Sequence, residues 1–105
     1  MRELKESDIQ KATIDLLKLK RFIVFKHRNV GIWKRETERY IPLSAGEKGI
    51  SDIIACSPKG IFWAVEVKKP DGKVSAEQQD FIDRVNANGG VAYVAYSIDD
   101  TLKRL

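Results

Sequence analysis

Residues 49–69, "GISDIIACSPKGIFWAVEVKK", contain two largely apolar runs that are separated by a short turn sequence. The runs "GISDIIAC" and "IFWAVEVKK" are rich in the β-branched and aromatic residues that favour strands. The four residues between them, "SPKG", place Ser, Pro and Gly at positions that a type I turn favours. The segment therefore predicts an antiparallel β-hairpin.

The second run of this hairpin carries two opposite charges inside its apolar sequence. Side chains alternate across a strand, so Val65 and Val67 point to one face while Glu66 and Lys68 point to the other. We expect the valines to enter the core and the charged pair to lie on the opposite face, within reach of Asp52 on the paired strand. An acidic side chain in an apolar strand is costly to bury unless its charge is compensated, and a divalent cation would do so.

The part of the chain before the hairpin predicts one helix and one strand. Residues 7–20 have apolar side chains at helical spacing, and Ser7 followed by Gln10 resembles a capping box. Residues 21–27, "RFIVFKH", are typical of a strand.

The part after the hairpin predicts two helices around one strand. Ser75 and Gln78 form a second capping-box pattern, and the helical apolar face that follows ends at the two glycines 89–90. Residues 91–96, "VAYVAY", predict a strand, and a short helix follows from about Asp99. The predicted order is αβββαβα, in a single domain over residues 1–105.

Positive charge is concentrated in one part of the sequence. Residues 18–48 contain nine Lys or Arg against three Glu, whereas the rest of the chain has ten basic and twelve acidic residues. A local basic stretch attracts a polyanion, and nucleic acid is the commonest one. The alternative interpretation is a solvated, Lys-rich surface.

Residues 28–49 lack strong periodicity and are too long for an ordinary connection in so small a domain. Their cations alternate with Trp33 and Tyr40, a mixture that suits gripping phosphates while stacking on bases or sugars. The alternative is an extra β-hairpin whose aromatic residues pack on the core, and both interpretations can hold. The predicted nucleic-acid contacts are Arg28, Lys34, Arg35, Arg39, Lys48 and Lys69.

Length and composition exclude several classes of protein. The chain has 105 residues, of which 43% are hydrophobic, which is enough for one modest core. No apolar run approaches the roughly 20 residues that span a bilayer, so we expect an intracellular, cytoplasmic protein without a membrane partner. The single Cys56 and the single His27 exclude a zinc site built from several Cys and His ligands. Any metal here would be held by carboxylates.

The pair of acidic residues suits a hard cation. Mg²⁺ prefers oxygen ligands and usually takes one or two carboxylates together with water and phosphate oxygens, and Mn²⁺ accepts the same set. Asp52 and Glu66 would supply the carboxylates, and Lys68 would position a water or stabilise charge on the phosphate. This chemistry is phosphodiester hydrolysis. Taken alone, an E-x-K triplet more often belongs to an exposed ion network.

The ordered set of motifs resembles the VRR-Nuc (virus-type replication-repair nuclease) family, within the PD-(D/E)xK nuclease superfamily. The matching pieces are "ESDIQKA" near the start, "GISDII" at 49–54, "AVEVKKP" at 64–70, "SAEQ" at 75–78 and "GG" at 89–90. Ser51 stands where the superfamily often has Pro before the catalytic Asp. The resemblance implies an α/β (α+β) fold, with a restriction-endonuclease-like αβββαβ core whose central mixed four-stranded sheet is flanked by helices.

The resemblance also implies the roles of individual residues. Glu6 and Gln78 carry weaker assignments, because Glu6 could be a favourable charge at a helix N-terminus and Gln78 could only close its capping box. The implied catalytic residues are Asp52, Glu66, Lys68, Glu6 and Gln78, and the implied metal ligands are Asp52, Glu66 and the backbone carbonyl of Val67.

The activity that the resemblance implies is an endodeoxyribonuclease that depends on Mg²⁺ or Mn²⁺ and cuts branched DNA such as four-way (Holliday) junctions. A homodimer is expected, because cutting a junction symmetrically needs two active sites related by a twofold axis. Two alternatives remain open at this point: a non-catalytic DNA-binding module that uses the basic residues 28–49, and a small protein-interaction domain.

Overall fold

The computed structural model describes residues 5–27, 32–36, 38–41 and 49–105 of the chain, without the side chains of 32–34 and 39–41. Three helices and six strands are assigned within these ranges. In chain order they are α1 (Glu6–Leu19), β1 (Ile23–Lys26), β2 (Ile32–Lys34), β3 (Arg39–Ile41), β4 (Ile53–Cys56), β5 (Phe62–Val67), α2 (Ala76–Ala87), β6 (Val91–Ala95) and α3 (Ile98–Leu102).

The main sheet has four strands in the order β1-β4-β5-β6. β4 pairs antiparallel with both β1 and β5, while β5 and β6 are parallel and are joined through α2. The turn of the β4–β5 hairpin is closed by the Gly60 N–H, which donates to the Ser57 carbonyl at 2.8 Å. The predicted hairpin and the mixed four-stranded sheet flanked by helices are therefore confirmed.

The segment between β1 and β4 contains a second, two-stranded sheet. β2 and β3 pair antiparallel, with Trp33 opposite Tyr40 and Lys34 opposite Arg39. The segment thus forms the extra β-hairpin that the sequence left open as an alternative. The packing of its two aromatic side chains lies outside the described part of the chain.

Both faces of the main sheet are covered by helices, at least in part. α1 contributes Leu17 to the larger apolar cluster, in which Val65 and Val67 are also almost fully buried, and α3 packs against α1 and β6. On the other face, α2 packs Ile82 against the smaller side chains of Ala64 and Ala92. Val65 and Val67 enter the larger cluster while Glu66 lies on the opposite face of β5, as strand alternation predicts, and α2 packs on this second face.

The helix termini follow the predicted capping chemistry at α2 but not at α1. The first residue of α1 is Glu6 and its N-cap is Lys5, whose backbone N–H donates to the Asp8 carboxylate at 3.3 Å. Ser7 lies inside the first turn, so the predicted Ser7 cap is wrong. An acidic first turn favours the earlier start because carboxylates stabilise the positive end of the helix dipole. No helix within the described residues is long and apolar enough to cross a membrane.

Candidate active site

The two carboxylates singled out by the sequence meet where β4 begins and β5 ends. Ile53 pairs with Val65 in this antiparallel hairpin. One step along each strand from this pair, Asp52 lies opposite Glu66. Asp52 lies one residue before β4 rather than within it. Its Oδ2 accepts a hydrogen bond from the Val67 N–H at 3.1 Å, which turns the carboxylate towards the end of β5.

Glu66 is the most unusual residue of the site, because its side chain is charged at neutral pH in water yet only 1% of the residue is exposed. Gln78 Nε2 donates to its Oε1 at 2.9 Å, and Lys68 Nζ lies 3.9 Å from the same oxygen. The other oxygen, Oε2, is buried without a hydrogen-bond partner. A buried carboxylate with an unpartnered oxygen is costly unless a further group compensates it.

The pKa of Glu66 shows that neighbouring groups do not compensate the negative charge of its carboxylate. The pKa of this carboxyl is raised to about 8, chiefly by burial and next by repulsion from the nearby Asp52 carboxylate. Lys68 acts in the opposite direction, and a smaller repulsion comes from Glu6 at the start of α1. The single ammonium group does not balance the negative charge gathered here, so the site has the electrostatic character of a cation site.

Gln78 connects the first turn of α2 to the buried carboxylate. Its backbone N–H donates to Ser75 Oγ at 3.1 Å, and its Oε1 accepts from the Ser75 N–H at 2.8 Å. The Nε2 of the same side chain donates to Glu66. The two interpretations of Gln78 are therefore compatible, since its amide closes the capping box with the oxygen and reaches the site with the nitrogen.

Gly49 packs against the same turn of α2. Its φ is +84°, and a Cβ at this position would clash with the backbone of Glu77 and Gln78. Only glycine adopts this positive φ without strain and also lacks the Cβ that would clash with the helix backbone. The glycine that opens the "GISD" motif therefore allows the β4 segment to approach the helix that carries Gln78.

Lys68 is held close to Glu66 by the turn that follows β5. Its side chain is 18% exposed, and its backbone N–H donates to the Ala95 carbonyl at 3.1 Å. The Gly72 N–H donates to the Lys69 carbonyl at 2.8 Å, which folds this turn against the Lys68 stem. The ammonium group thus reaches the mouth of the site while most of its stem is packed.

Two polar groups in the same region were not anticipated from the sequence. Ser51 Oγ and His27 Nε2 are buried and have no hydrogen-bond partner among the described residues. Ser51 directly precedes Asp52, and the His27 N–H donates to the Asp52 carbonyl at 2.7 Å. The position of Ser51 in "GISD" was a usable signal, whereas nothing in the sequence connected His27 with Asp52.

The predicted nucleic-acid contacts are only partly described. Arg35 is exposed in the β2–β3 turn, and Lys69 is exposed one residue beyond Lys68. Lys34 and Arg39 face each other in the backbone register of the second hairpin. Arg28 and Lys48 lie outside the described residues.

The donor set tests whether a cation fits. Within the described ranges no group of three or more His, Cys, Asp or Glu side chains is arranged to hold a metal ion. Two carboxylates are nevertheless a sufficient protein contribution for Mg²⁺ or Mn²⁺, which retain several waters. The unpartnered Glu66 Oε2 fits such an ion, because a cation would satisfy the oxygen and offset its burial.

Comparisons with known proteins agree with this architecture. The family model described as "VRR-NUC domain" matches residues 5–99. A solved structure titled "VRR_NUC domain" superimposes with a TM-score of 0.64 at 22% identity, covering 93% of this chain and 90% of the other. No curated protein matches the sequence significantly. The match over residues 5–99 shows that the chain belongs to the VRR-NUC family of nuclease domains.

Proposed function

We propose that the protein is a structure-selective DNA endonuclease that depends on a divalent metal ion and hydrolyses phosphodiester bonds in branched DNA, including four-way junctions. The observation that carries this proposal is the buried Glu66, which lies opposite Asp52 and beside Lys68 with one oxygen unpartnered. A purely structural ion network would satisfy that oxygen or expose it to water.

The residues that would hold Mg²⁺ or Mn²⁺ are Asp52 and Glu66 through their carboxylates and Val67 through its backbone carbonyl. When bound, such an ion would supply Lewis-acid chemistry, polarising the scissile phosphate and making a water a better nucleophile. Binding of a cation lowers the pKa of Glu66 because it stabilises the ionised carboxylate. The hydrogen bond from the Val67 N–H keeps the Asp52 side chain oriented towards the same place.

Lys68 supplies the positive charge that the reaction needs on the substrate side. Its ammonium group would orient the attacking water and donate to a phosphate oxygen as negative charge develops there. Gln78 holds the Glu66 carboxylate in one orientation through the 2.9 Å hydrogen bond. Glu6, at the exposed start of α1, would act on the site through its charge and as an acceptor for waters around the cation.

Exposed basic residues support a polyanionic substrate. Lys69 follows the proposed catalytic Lys68 directly, and Arg35 is exposed at the tip of the β2–β3 hairpin. We propose that Arg28, Lys34, Arg39 and Lys48 join them in binding the DNA backbone. DNA is favoured over RNA on the family relationship.

We propose that the active form is a homodimer. Its interface includes the part of the main sheet at β1 and the start of β5 where apolar side chains are exposed. Ile23 and Phe25 on the edge strand β1 are each 62% exposed, and Phe62 on the same face is 45% exposed. Contiguous exposed apolar side chains of this kind mark an interaction surface. Sedimentation equilibrium should give the mass of two chains at micromolar concentration, and Phe25→Glu should reduce it to one; a wild-type mass of one chain contradicts the dimer.

The experiment that tests the activity compares the wild type with Lys68→Ala on end-labelled four-way junction, flap and linear duplex DNA. We expect the wild type to cut a branched substrate when Mg²⁺ or Mn²⁺ is added and to be inactive with a chelator. The variant should bind the DNA with a similar affinity and leave it uncut. Lys73→Ala, on an exposed loop residue, is the matched control and should cut normally.

The alternative of a non-catalytic DNA-binding module has a separate signature. If wild type and Lys68→Ala bind DNA with the same salt dependence and neither cuts any substrate with either metal, the nuclease proposal fails. The basic residues 28–49 would then account for binding alone.

A further inference from the structure

A groove lies at the opposite end of β5 from the candidate active site. Its volume is about 470 Å³. It is formed where the end of α1, the β4–β5 turn, the start of β6 and the last described residues converge. The lining residues are Lys20, Phe22, Ser57, Pro58, Lys59, Ile61, Trp63, Val91, Arg104 and Leu105.

The floor of the groove is a fixed aromatic stack. Trp63 packs edge-to-face against Phe22 at 5.0 Å and against Tyr93 at 5.9 Å between ring centroids. Trp63 is only 5% exposed, and the Arg104 guanidinium carbon lies 4.3 Å from the Tyr93 ring centroid. Because these side chains hold each other in place, an incoming group meets a preformed apolar surface and orders little on binding.

The charged side chains that line the groove are all basic. Lys20, Lys59 and Arg104 are exposed and no acidic side chain lines the groove. None of the three forms an ion pair within the described part of the chain. Arg104 lies over the Tyr93 ring, and this contact holds its guanidinium group at the groove, where its N–H groups can bind a carboxylate.

We propose that this groove is a docking site for a short acidic peptide segment of a partner protein, which inserts one aromatic or large aliphatic side chain between flanking carboxylates. The apolar floor receives the anchor and the three cations pair with the carboxylates. The site is separate from the proposed nuclease centre, since it contacts the start of β5 rather than its end.

The shape of the groove favours a peptide over nucleic acid. Base stacking requires an accessible ring face, and Trp63 is only 5% exposed where it packs edge-to-face against Phe22 and Tyr93. The remaining apolar lining includes Ile61 and Val91, which offer nothing to a sugar–phosphate backbone. A hydrophobic side chain with adjacent carboxylates satisfies both the floor and the rim.

The test begins with a phage-displayed library of random 12-residue peptides, selected on the full chain and counter-selected on Ile61→Glu. Ile61 is 39% exposed, so a charged substitution there blocks the groove without entering the core. We expect the enriched peptides to share an aromatic or large aliphatic residue next to Asp or Glu. The best peptide is then synthesised with a fluorescent label and titrated by fluorescence anisotropy.

Variants of the groove separate its parts. Ile61→Glu should weaken binding of the labelled peptide by more than about tenfold, since it removes the anchor site. Lys59→Glu should weaken binding by about two- to fivefold, as expected of an exposed charge pair, and the loss should shrink as salt rises. Lys103→Glu, on an exposed neighbour that does not line the groove, is the charge-matched control.

Three outcomes would overturn the proposal. The library could yield no peptide that distinguishes the wild type from Ile61→Glu, or peptides without acidic residues. Alternatively, Ile61→Glu and Lys59→Glu could weaken binding of junction DNA, which would make the groove part of a nucleic-acid surface. DNA cleavage should be unchanged in both variants, so a failure of the nuclease proposal is distinguished from a failure of this one.

Discussion

The two ends of β5 differ in how their buried groups are satisfied. At the start of the strand, Trp63 packs edge-to-face against Phe22 and Tyr93, and these contacts bury an apolar ring that needs no charge compensation. At the other end, Glu66 is equally buried but keeps an unpartnered oxygen and a pKa raised to about 8. One strand thus contributes to stability where it begins and sacrifices stability where it ends, which is the pattern expected when the second end is a functional site.

The largest expected effect is on activity at the polar end. Glu66→Gln preserves the shape of the side chain and removes its charge, so it should lower the cleavage rate by at least about 100-fold. The free energy of unfolding above pH 8 should stay the same or rise, because an ionised carboxylate is no longer buried. Cleavage assays and urea denaturation measure the two quantities. A variant that cuts within threefold of the wild type would remove Glu66 from the proposed site.

At the start of β5 we expect the opposite result, in which a substitution lowers stability and leaves the cleavage rate unchanged. Trp63→Leu should lower the free energy of unfolding by about 2–4 kcal/mol, because it leaves a cavity between two rings. The cleavage rate per folded molecule should not change. Leu19→Ala is the control, since Leu19 is 77% exposed and its truncation should cost less than about 1 kcal/mol. Equal losses for the two variants would contradict the aromatic stack as the anchor of this end.

The pKa of Glu66 gives a pH dependence of stability with a defined sign. The folded-state value of about 8 lies above the ordinary value of 4.5, so the folded protein holds a proton that the unfolded chain has lost. The stabilisation is complete below the unfolded-state pKa and is lost as the pH rises through the folded-state pKa.

With a chelator present, the melting temperature should therefore fall by at least about 5 °C between pH 5 and pH 9. Glu66→Gln should remove most of this dependence, and Mg²⁺ at pH 9 should raise the melting temperature of the wild type only. Differential scanning fluorimetry measures each case. Equal pH dependence in the two proteins would show that Glu66 ionises normally.

The smallest expected effect concerns the link between Gln78 and the site. Gln78→Glu keeps an acceptor for the capping box but replaces the donor to Glu66 with a negative charge, so cleavage should fall about tenfold. Ser75→Ala is the matched control, because it removes the cap, costs about 1 kcal/mol of stability and leaves the amide donor in place. If the two variants lose activity equally, Gln78 acts only as a capping residue.

The sequence was sufficient for the order of the elements that build the main sheet. The β4–β5 hairpin followed from two apolar runs around "SPKG", and α2 followed from its capping box. Both signals are local, since turn chemistry and helix capping act over four residues. The proximity of Asp52 and Glu66 also followed from local information, because hairpin register places residues of two adjacent strands side by side.

Features that depend on tertiary packing were not predictable in the same way. Strand alternation correctly placed Glu66 on the face opposite the valines, but it did not show that α2 packs on that face over Ala64 and Ala92, whose small side chains allow a close approach. The groove proposed to bind a peptide could not be predicted from the sequence either. Phe22, Trp63 and Arg104 are far apart in the chain and come together only when it folds.

The hydrogen bond from the Val67 N–H to Asp52 also has a consequence for folding. A slip of one residue in the β4–β5 pairing would break this bond and turn Glu66 into the apolar layer that holds Val65 and Val67. A hairpin in the wrong register is therefore less stable for two reasons: it loses a hydrogen bond, and it buries a carboxylate among aliphatic side chains. The residues proposed to cut DNA therefore also favour the correct strand register, because misaligned pairings of β4 and β5 have a higher free energy.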